Sequence, residues 1–224
     1  MKIGIIGGTG GMGEGLAMRW CLNHNVVIGS RDTERAINSS ISFSKVVAEA
    51  YGSAMKGDIS GNENIAMVKD CDLLVLSIPY DYIDDICGKI SSIVKENCII
   101  VSPIVPMKKS NDGFEYIPMK ENTKSAAERV ASKIQHRSRI VSALHTISEV
   151  KLKHLDEIID CDVFVCGDDV NTTNIVIKLI EEINGLRPLY LGSLSMSYQA
   201  EMMTPMLLNA SKLNKIKHPG LKIV

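Results

Sequence analysis

Short, wholly apolar runs recur along the chain, separated by longer stretches with helical spacing. Ile3–Ile6, Val26–Ile28, Leu73–Ser77, Ile99–Val101, Ile140–Ala143, Val163–Val165 and Pro188–Leu191 read as strands. Apolar on both faces rather than alternating, they fit burial from two sides, as in a parallel sheet. The segments Met12–Asn23, Thr33–Tyr51, Glu63–Lys69, Tyr82–Val94, Ser125–Gln135 and Thr172–Ile183 read as helices between them. Strand and helix in alternation predict an α/β protein: a Rossmann-type, mostly parallel, doubly wound sheet with helices on both faces. Two stretches break the rhythm. Pro103–Thr123, with three prolines and a Ser-Asn-Asp-Gly turn, is a long connection of the kind that often carries function. From Ser193 to Ile216 one long helical pattern runs, rich in Met and Leu, with Pro205 set to kink it or mark its start. This makes a small helical extension. We divide the chain into a dinucleotide-binding domain over 1–145 and a smaller part over 146–224 that completes the sheet and a second pocket.

The local chemistry begins with "IGGTGGMGEGLA". Gly8-Thr9-Gly10-Gly11-Met12-Gly13 is a G-x-G-x-x-G between the first strand and the first helix. In that setting each glycine has its own role. The first allows the tight turn, the second lets backbone approach a pyrophosphate, and the third lets the helix pack closely on the strand. Backbone N–H groups and the positive helix end then face the phosphates. The second strand ends "VVIGSRDTER", placing Ser30 and Arg31 where a ribose-binding acid would stand in an NAD site, with Arg35 one helical turn later. A hydroxyl and two guanidiniums suit a 2′-phosphate, so NADP is favoured over NAD. Asp32 competes as the ribose acid, but it is equally a good N-cap for the helix from Thr33.

Composition narrows the rest. Lys+Arg 25 against Asp+Glu 26 gives a net charge of −1. That charge gives no basic field for nucleic acid or membrane. Aromatic residues make up 4%, with Trp20 the single tryptophan, leaving few platforms for stacking bases. Cys21, Cys71, Cys87, Cys98, Cys161 and Cys166 form no C-x-x-C pair and read as reduced core cysteines. No run reaches the ~18 apolar residues of a membrane span, and no signal peptide precedes the first strand. The expected location is the cytoplasm.

With these motifs the chain resembles the archaeal F420-dependent NADP reductase family. Further matches are "LSIPYDY", "IIVSPIVP", "VSALHTI", "VCGDD", "INGLRPL", "MTPMLLN" and "GLKIV", in order across the chain. The resemblance implies an oxidoreductase that passes hydride reversibly between reduced coenzyme F420, a deazaflavin, and NADP, with both as its small-molecule partners and a homodimer as its possible assembly. It implies that Gly8, Thr9, Gly10, Gly11 and Met12 wrap the pyrophosphate while Ser30, Arg31 and Arg35 hold the 2′-phosphate. Ile78, Val105 and Ala143 would line the nicotinamide. His145, Ser195, Thr204 and Pro205 would close the deazaflavin pocket. Where the family carries an Arg after its "LSNS" equivalent, this chain has Tyr198; Lys212, Lys215 and Lys217 could supply a cation to the F420 tail instead. Hydride transfer between stacked rings asks mainly for positioning, so no acid–base residue is required. His145 is either a satisfied structural histidine or a deazaflavin contact. Rival readings are another NADP(H) reductase, acting on a flavin or an imine, and a non-catalytic NADPH-sensing protein.

Overall fold

The computed structural model describes residues 1–119 and 123–224; residues 120–122 of the long connection lie outside the described part. Strand β1 (Lys2–Ile6) enters helix α1 (Gly11–Trp20), and β2 (Asn25–Ser30) enters α2 (Thr33–Tyr51). Strands β3 (Ile59–Glu63) and β4 (Leu73–Leu76), helix α3 (Ile83–Ile90) and strand β5 (Ile99–Ser102) follow. After a small hairpin, β6 (Met107–Lys109) with β7 (Phe114–Tyr116), come α4 (Ala126–Lys133), β8 (Ile140–Ser142) and α5 (Glu149–Lys153). The chain finishes with β9 (Cys161–Gly167), α6 (Val170–Glu181), β10 (Leu186–Gly192) and α7 (Ser197–Asn214).

Eight of these strands form one sheet in the order β10-β9-β8-β5-β4-β1-β2-β3. From β3 to β8 every pair is parallel, with Ile3 opposite both Val26 and Leu73. Strand order reverses beside β1, so the crevice for a ligand opens at the carboxyl ends of β1 and β4. The apolar runs are buried on both faces. One core cluster gathers Ile3, Ile5, Trp20 and Val165, the other Ile6, Leu74, Ile100 and Val130.

Strand β9 departs from the parallel rule. It runs antiparallel to β8, pairing Ser142 with Cys166 and Val141 with Gly167, and β10 lies parallel to β9. Cys161 therefore projects past the carboxyl end of β8, over the edge where the crevice opens. Helix α7 then starts near the far edge and runs back toward that crevice.

One sequence-based element is corrected. The helix expected over Glu63–Lys69 is the end of β3, a turn and a short 3₁₀ segment at Val68–Asp70. Strand β3 escaped the pattern because it is an edge strand, with Ile59 its one buried residue. Its Gly61 has a packing reason: a Cβ there would lie 2.3 Å from the Ala36 backbone of α2. The short α5 also carries too little periodicity to be read. Of the two places the sequence allows Pro205, inside the long helix or at its start, it takes the first, within α7.

Candidate functional site

The cleft is built first from the turn after β1. Gly7, one residue before the fingerprint, takes the left-handed conformation (φ 74°), so the tight turn belongs to it rather than to Gly8. Gly8 is needed for contact: a Cβ there would lie 2.8 Å from Ile28 Cβ and from the Ile5 carbonyl oxygen. Gly13 faces Gly8 so closely that its Cβ would stand 2.5–2.8 Å from three Gly8 backbone atoms. Gly10 differs from both. A Cβ there would find only the Gly7 carbonyl, at 3.5 Å. Gly10 is also the N-cap of α1 and supplies no side-chain capping bond, which leaves first-turn N–H groups open to an anion. The loop thus has the open cradle that a diphosphate needs.

Thr9, Gly10, Ser30, Arg31 and Arg35 line one half of the cleft, a cavity of about 640 Å³. Ser30 is buried, and its hydroxyl accepts from the Asp32 N–H at 3.2 Å, so its own proton is free to point outward. Arg31 and Arg35 are exposed, with the Arg31 guanidinium 5.9 Å from the centre of the Tyr82 ring. Asp32 caps α2: its Oδ1 accepts from the N–H groups of Glu34 at 2.9 Å and Arg35 at 3.2 Å. Asn64 was not foreseen. Buried in the turn after β3, it accepts from the Gly7 N–H at 3.0 Å and fixes the turn that aims the glycine loop. Its lone position in a polar stretch gave no sequence signal.

Met12, Val105, His145 and Thr204 line the other half, about 820 Å³, which shares Ser77, Ile78 and Pro79 with the first. Ile78 thus borders both cavities, and the two adjoin as one trough along the strand ends. Its second half is mostly apolar, with Ile104, Ile147, Leu207 and Leu208 in the wall. Leu144, at φ 72°, is a left-handed non-glycine residue two positions after the end of β8. This strained turn swings His145 into the trough. The ring is held by Ser142 Oγ at 3.1 Å from Nε2, and the His145 carbonyl accepts from the Thr204 hydroxyl at 2.8 Å. Burial pushes the imidazole down to about 4, against an opposing bond to the Ser102 backbone. It is neutral at physiological pH.

Four expected residues fall elsewhere. Ala143 is fully buried in the core, as are Ser142 and Leu144 on either side of it. Pro205 faces inward on α7, while Thr204 beside it reaches the trough. Ser195 bonds Ser193 in the 3₁₀ turn before α7, where Leu194 N–H donates to Asp168 at the far end of β9. Thr204 lies seven helical steps beyond Ser197, about 10 Å. Gly11 is in neither cavity wall and faces α5, where a Cβ would strike the carboxylate of Glu149, itself a residue of the larger cavity's wall, at 2.3 Å. The α5 segment is fastened to α1 by buried Arg19, which donates to the carbonyls of Leu152, Lys151, His154 and Glu157. Tyr198 lies in the first turn of α7 with Lys124 5.9 Å from its ring centre.

Helix α7 is anchored by a residue that periodicity hides. Glu201 is fully buried and accepts from the N–H groups of Ala126 (2.9 Å) and Ala127 (3.1 Å) at the start of α4, and from the Tyr116 hydroxyl (3.2 Å). Burial pushes its carboxyl up to about 8, against those three donors. Asn209 grips Phe114 by both its N–H and its carbonyl, at 2.7 Å each, docking the β6–β7 hairpin on the same helix.

Among the described residues there is no cluster of His, Cys, Asp or Glu able to hold a metal, and no helix long and apolar enough to cross a membrane. The six cysteines are buried and unpaired.

The family described as NADP oxidoreductase, coenzyme F420-dependent, matches residues 2–106. The F420-dependent NADP reductase of Methanocaldococcus jannaschii is 33% identical over 223 residues, covering 100% of this chain and 98% of that protein. That of Methanothermobacter thermautotrophicus is 32% identical, covering 100% and 94%. In fold, the chain superposes on a crystal structure from Arthrobacter sp. fb24 with a TM-score of 0.77 at 22% identity, over 100% of this chain and 99% of that one. A pyrroline-5-carboxylate reductase of Coxiella burnetii shares the fold at a TM-score of 0.55 and 13% identity, over 84% of this chain and 58% of that one. With full-length identity above 30% to the methanogen enzymes, and a glycine loop, a basic half-cleft and an apolar half-cleft on one sheet edge, the chain belongs to the F420-dependent NADP reductase family.

Proposed function

We propose that this protein transfers hydride between reduced coenzyme F420 and NADP, with the dinucleotide along the glycine-loop half of the trough and the deazaflavin in the apolar half. The observation that carries this reading is that the two cavities adjoin at Ser77–Pro79. One wall there serves two ligands, as direct transfer between two rings demands. When both are bound, the reduced deazaflavin supplies a hydride to the nicotinamide and releases a proton to solvent.

The chain's own residues orient and exclude. First-turn N–H groups of α1 receive the diphosphate, and Arg31, Arg35 and the Ser30 hydroxyl take the 2′-phosphate. Ile78, Val105 and Met12 hold the nicotinamide edge and keep water from it. His145 is neutral and its Nε2 engages Ser142, so it serves as a fixed wall, and a direct hydride transfer asks no proton of it. Holding two carbons ~3–3.5 Å apart in a dry slot is the main catalytic contribution.

The six reduced, buried cysteines support a cytoplasmic setting. The exposed apolar stripe of Met202, Met206 and Leu213 on α7 supports a homodimer, which sedimentation would test. The decisive functional experiment follows absorbance at the deazaflavin band with F420 and NADP or NADPH supplied together. Stoichiometric interconversion is expected. NADPH oxidation by a flavin or a cyclic imine with F420 inert would overturn the reading.

A further inference from the structure

Beyond Asn214 at the end of α7 the chain has no regular structure, yet it does not drift away. Lys215 closes α7 in the left-handed conformation, and His218, also left-handed at φ 49°, turns the backbone across the apolar half of the trough. His218 and Pro219 line that cavity together with Ile78 and Val105. The segment then settles on the overhang of β9. Gly220 lies against Cys161, the Asp162 N–H donates to the Leu221 carbonyl at 2.7 Å, and the Ile223 N–H donates to Asp162 Oδ2 at 2.6 Å.

Asp162 is fully buried, and its carboxylate is closed by Arg187 of β10, which donates to Oδ1 at 2.7 Å and to Oδ2 at 2.8 Å. The same guanidinium donates to the Ile223 carbonyl at 2.5 Å. Lys222 pairs with Asp160 beside it. One arginine thus holds a carboxylate by its Nε and Nη2 fork and a main-chain carbonyl by the second N–H of the same Nη2, geometry that a lysine cannot reproduce. Arg187 does not line the trough. It acts on the trough through the segment it fastens.

We infer that Arg187 and Asp162 form a clasp that, by fastening residues 220–223, positions His218 and Pro219 in the wall of the F420 pocket, making Arg187 a positioning residue for that substrate alone. The inference rests on the placement of F420 in the apolar half-cleft proposed above. The clasp lies on β9 and β10, beyond β8 from the glycine loop, so loosening it leaves the dinucleotide half untouched.

The test uses full-length Arg187→Gln, Arg187→Lys and His218→Ala proteins, with steady-state kinetics in F420, NADP titration and melting temperature for each. Arg187→Gln is expected to raise the KM for F420 about tenfold, the scale of a lost charge-assisted contact, with kcat and NADP affinity within twofold. Arg187→Lys should recover part of that change. His218→Ala, at an exposed wall position, should raise the same KM several-fold and leave the clasp intact. An F420 KM unchanged in both Arg187→Gln and His218→Ala overturns the clasp while leaving the reductase reading standing. Parallel losses for F420 and NADP overturn it too, since they mark a general structural role. A wild-type protein that does not turn over F420 overturns both.

Discussion

Gly10 and Gly13 are two letters of one motif, but their surroundings predict opposite outcomes on substitution. At Gly10 the backbone is extended (φ −84°, ψ 166°), a region β-branched residues favour, and a Cβ meets only the Gly7 carbonyl at 3.5 Å. Gly10→Val should therefore fold and melt within a few degrees of wild type. Its methyl groups, however, occupy the cradle and push a diphosphate off the first-turn N–H groups. Losing two charge-assisted bonds at roughly 1.5–3 kcal/mol each weakens NADP by about 10²–10⁴-fold. At Gly13 the Cβ would lie 2.5–2.8 Å from Gly8 backbone atoms, none of which can swing aside as a side chain would. Overpacking of that kind costs about 1–3 kcal/mol, or roughly 2–12 °C in Tm for a chain of this size. Gly13→Ala should show that loss without any ligand present. Calorimetric titration with NADP and melting of the ligand-free proteins read the two effects separately. A Gly10→Val protein that binds NADP within threefold of wild type, or a Gly13→Ala protein that melts with it, would refute the division of labour.

Other expectations follow from the same geometry. Arg31→Ala should weaken NADP about 10–100-fold and NAD less than threefold, as read by titration; equal losses would remove Arg31 from the 2′-phosphate. His145→Asn should lower single-turnover transfer less than about tenfold, since acid–base groups typically contribute about 10²–10⁴-fold. A folded-state value near 4, below the ordinary 6.5, means that the unfolded chain takes up the proton first. Wild-type stability should fall as pH drops from 6.5 toward 4, and His145→Asn should flatten that slope. Glu201 has the opposite sign: its carboxyl, raised to about 8, holds a proton that the unfolded chain has already released. Stability should decline as pH rises from 6.5 to 8 in the wild type and less in Glu201→Gln, measured by denaturant melts.

Hydrophobic runs were legible where both faces of a strand are buried, which holds for β1, β4, β5 and β8. They were silent at β3, because an edge strand with Ser60, Gly61 and Asn62 at its centre has nothing to alternate. The glycine loop and the Ser30–Arg31–Arg35 group were readable because they are contiguous, and the structure gathers them as contiguity suggests. The second half of the trough draws on residues from 12 to 219, so no local pattern could announce it. Of the residues that resemblance pointed to, His145 and Thr204 stand in the cleft wall, while Ala143, Pro205 and Ser195 stand away from it. The reason is one of direction. Whether a residue faces a cleft or a core depends on the turn at Leu144 and on the reversal of β9, and neither leaves a mark in residue type.

The cap at Asp32 ties coenzyme choice to the integrity of a helix. An NAD-using relative needs a carboxylate at the end of β2, and here the nearest one is already committed to two N–H groups of α2. Stripping Arg31 and Arg35 would thus yield a protein poor with both coenzymes rather than one converted to NAD. Turning Asp32 outward would cost α2 its cap, about 0.5–2 kcal/mol. A lineage drifting from one coenzyme to the other therefore has to acquire a substitute cap first, for example at Thr33, before an exchange at Arg31 becomes useful. The order of substitutions is constrained even though the residues involved are neighbours. A double-mutant cycle pairing a change at Asp32 with one at Arg31 would show that constraint as non-additivity.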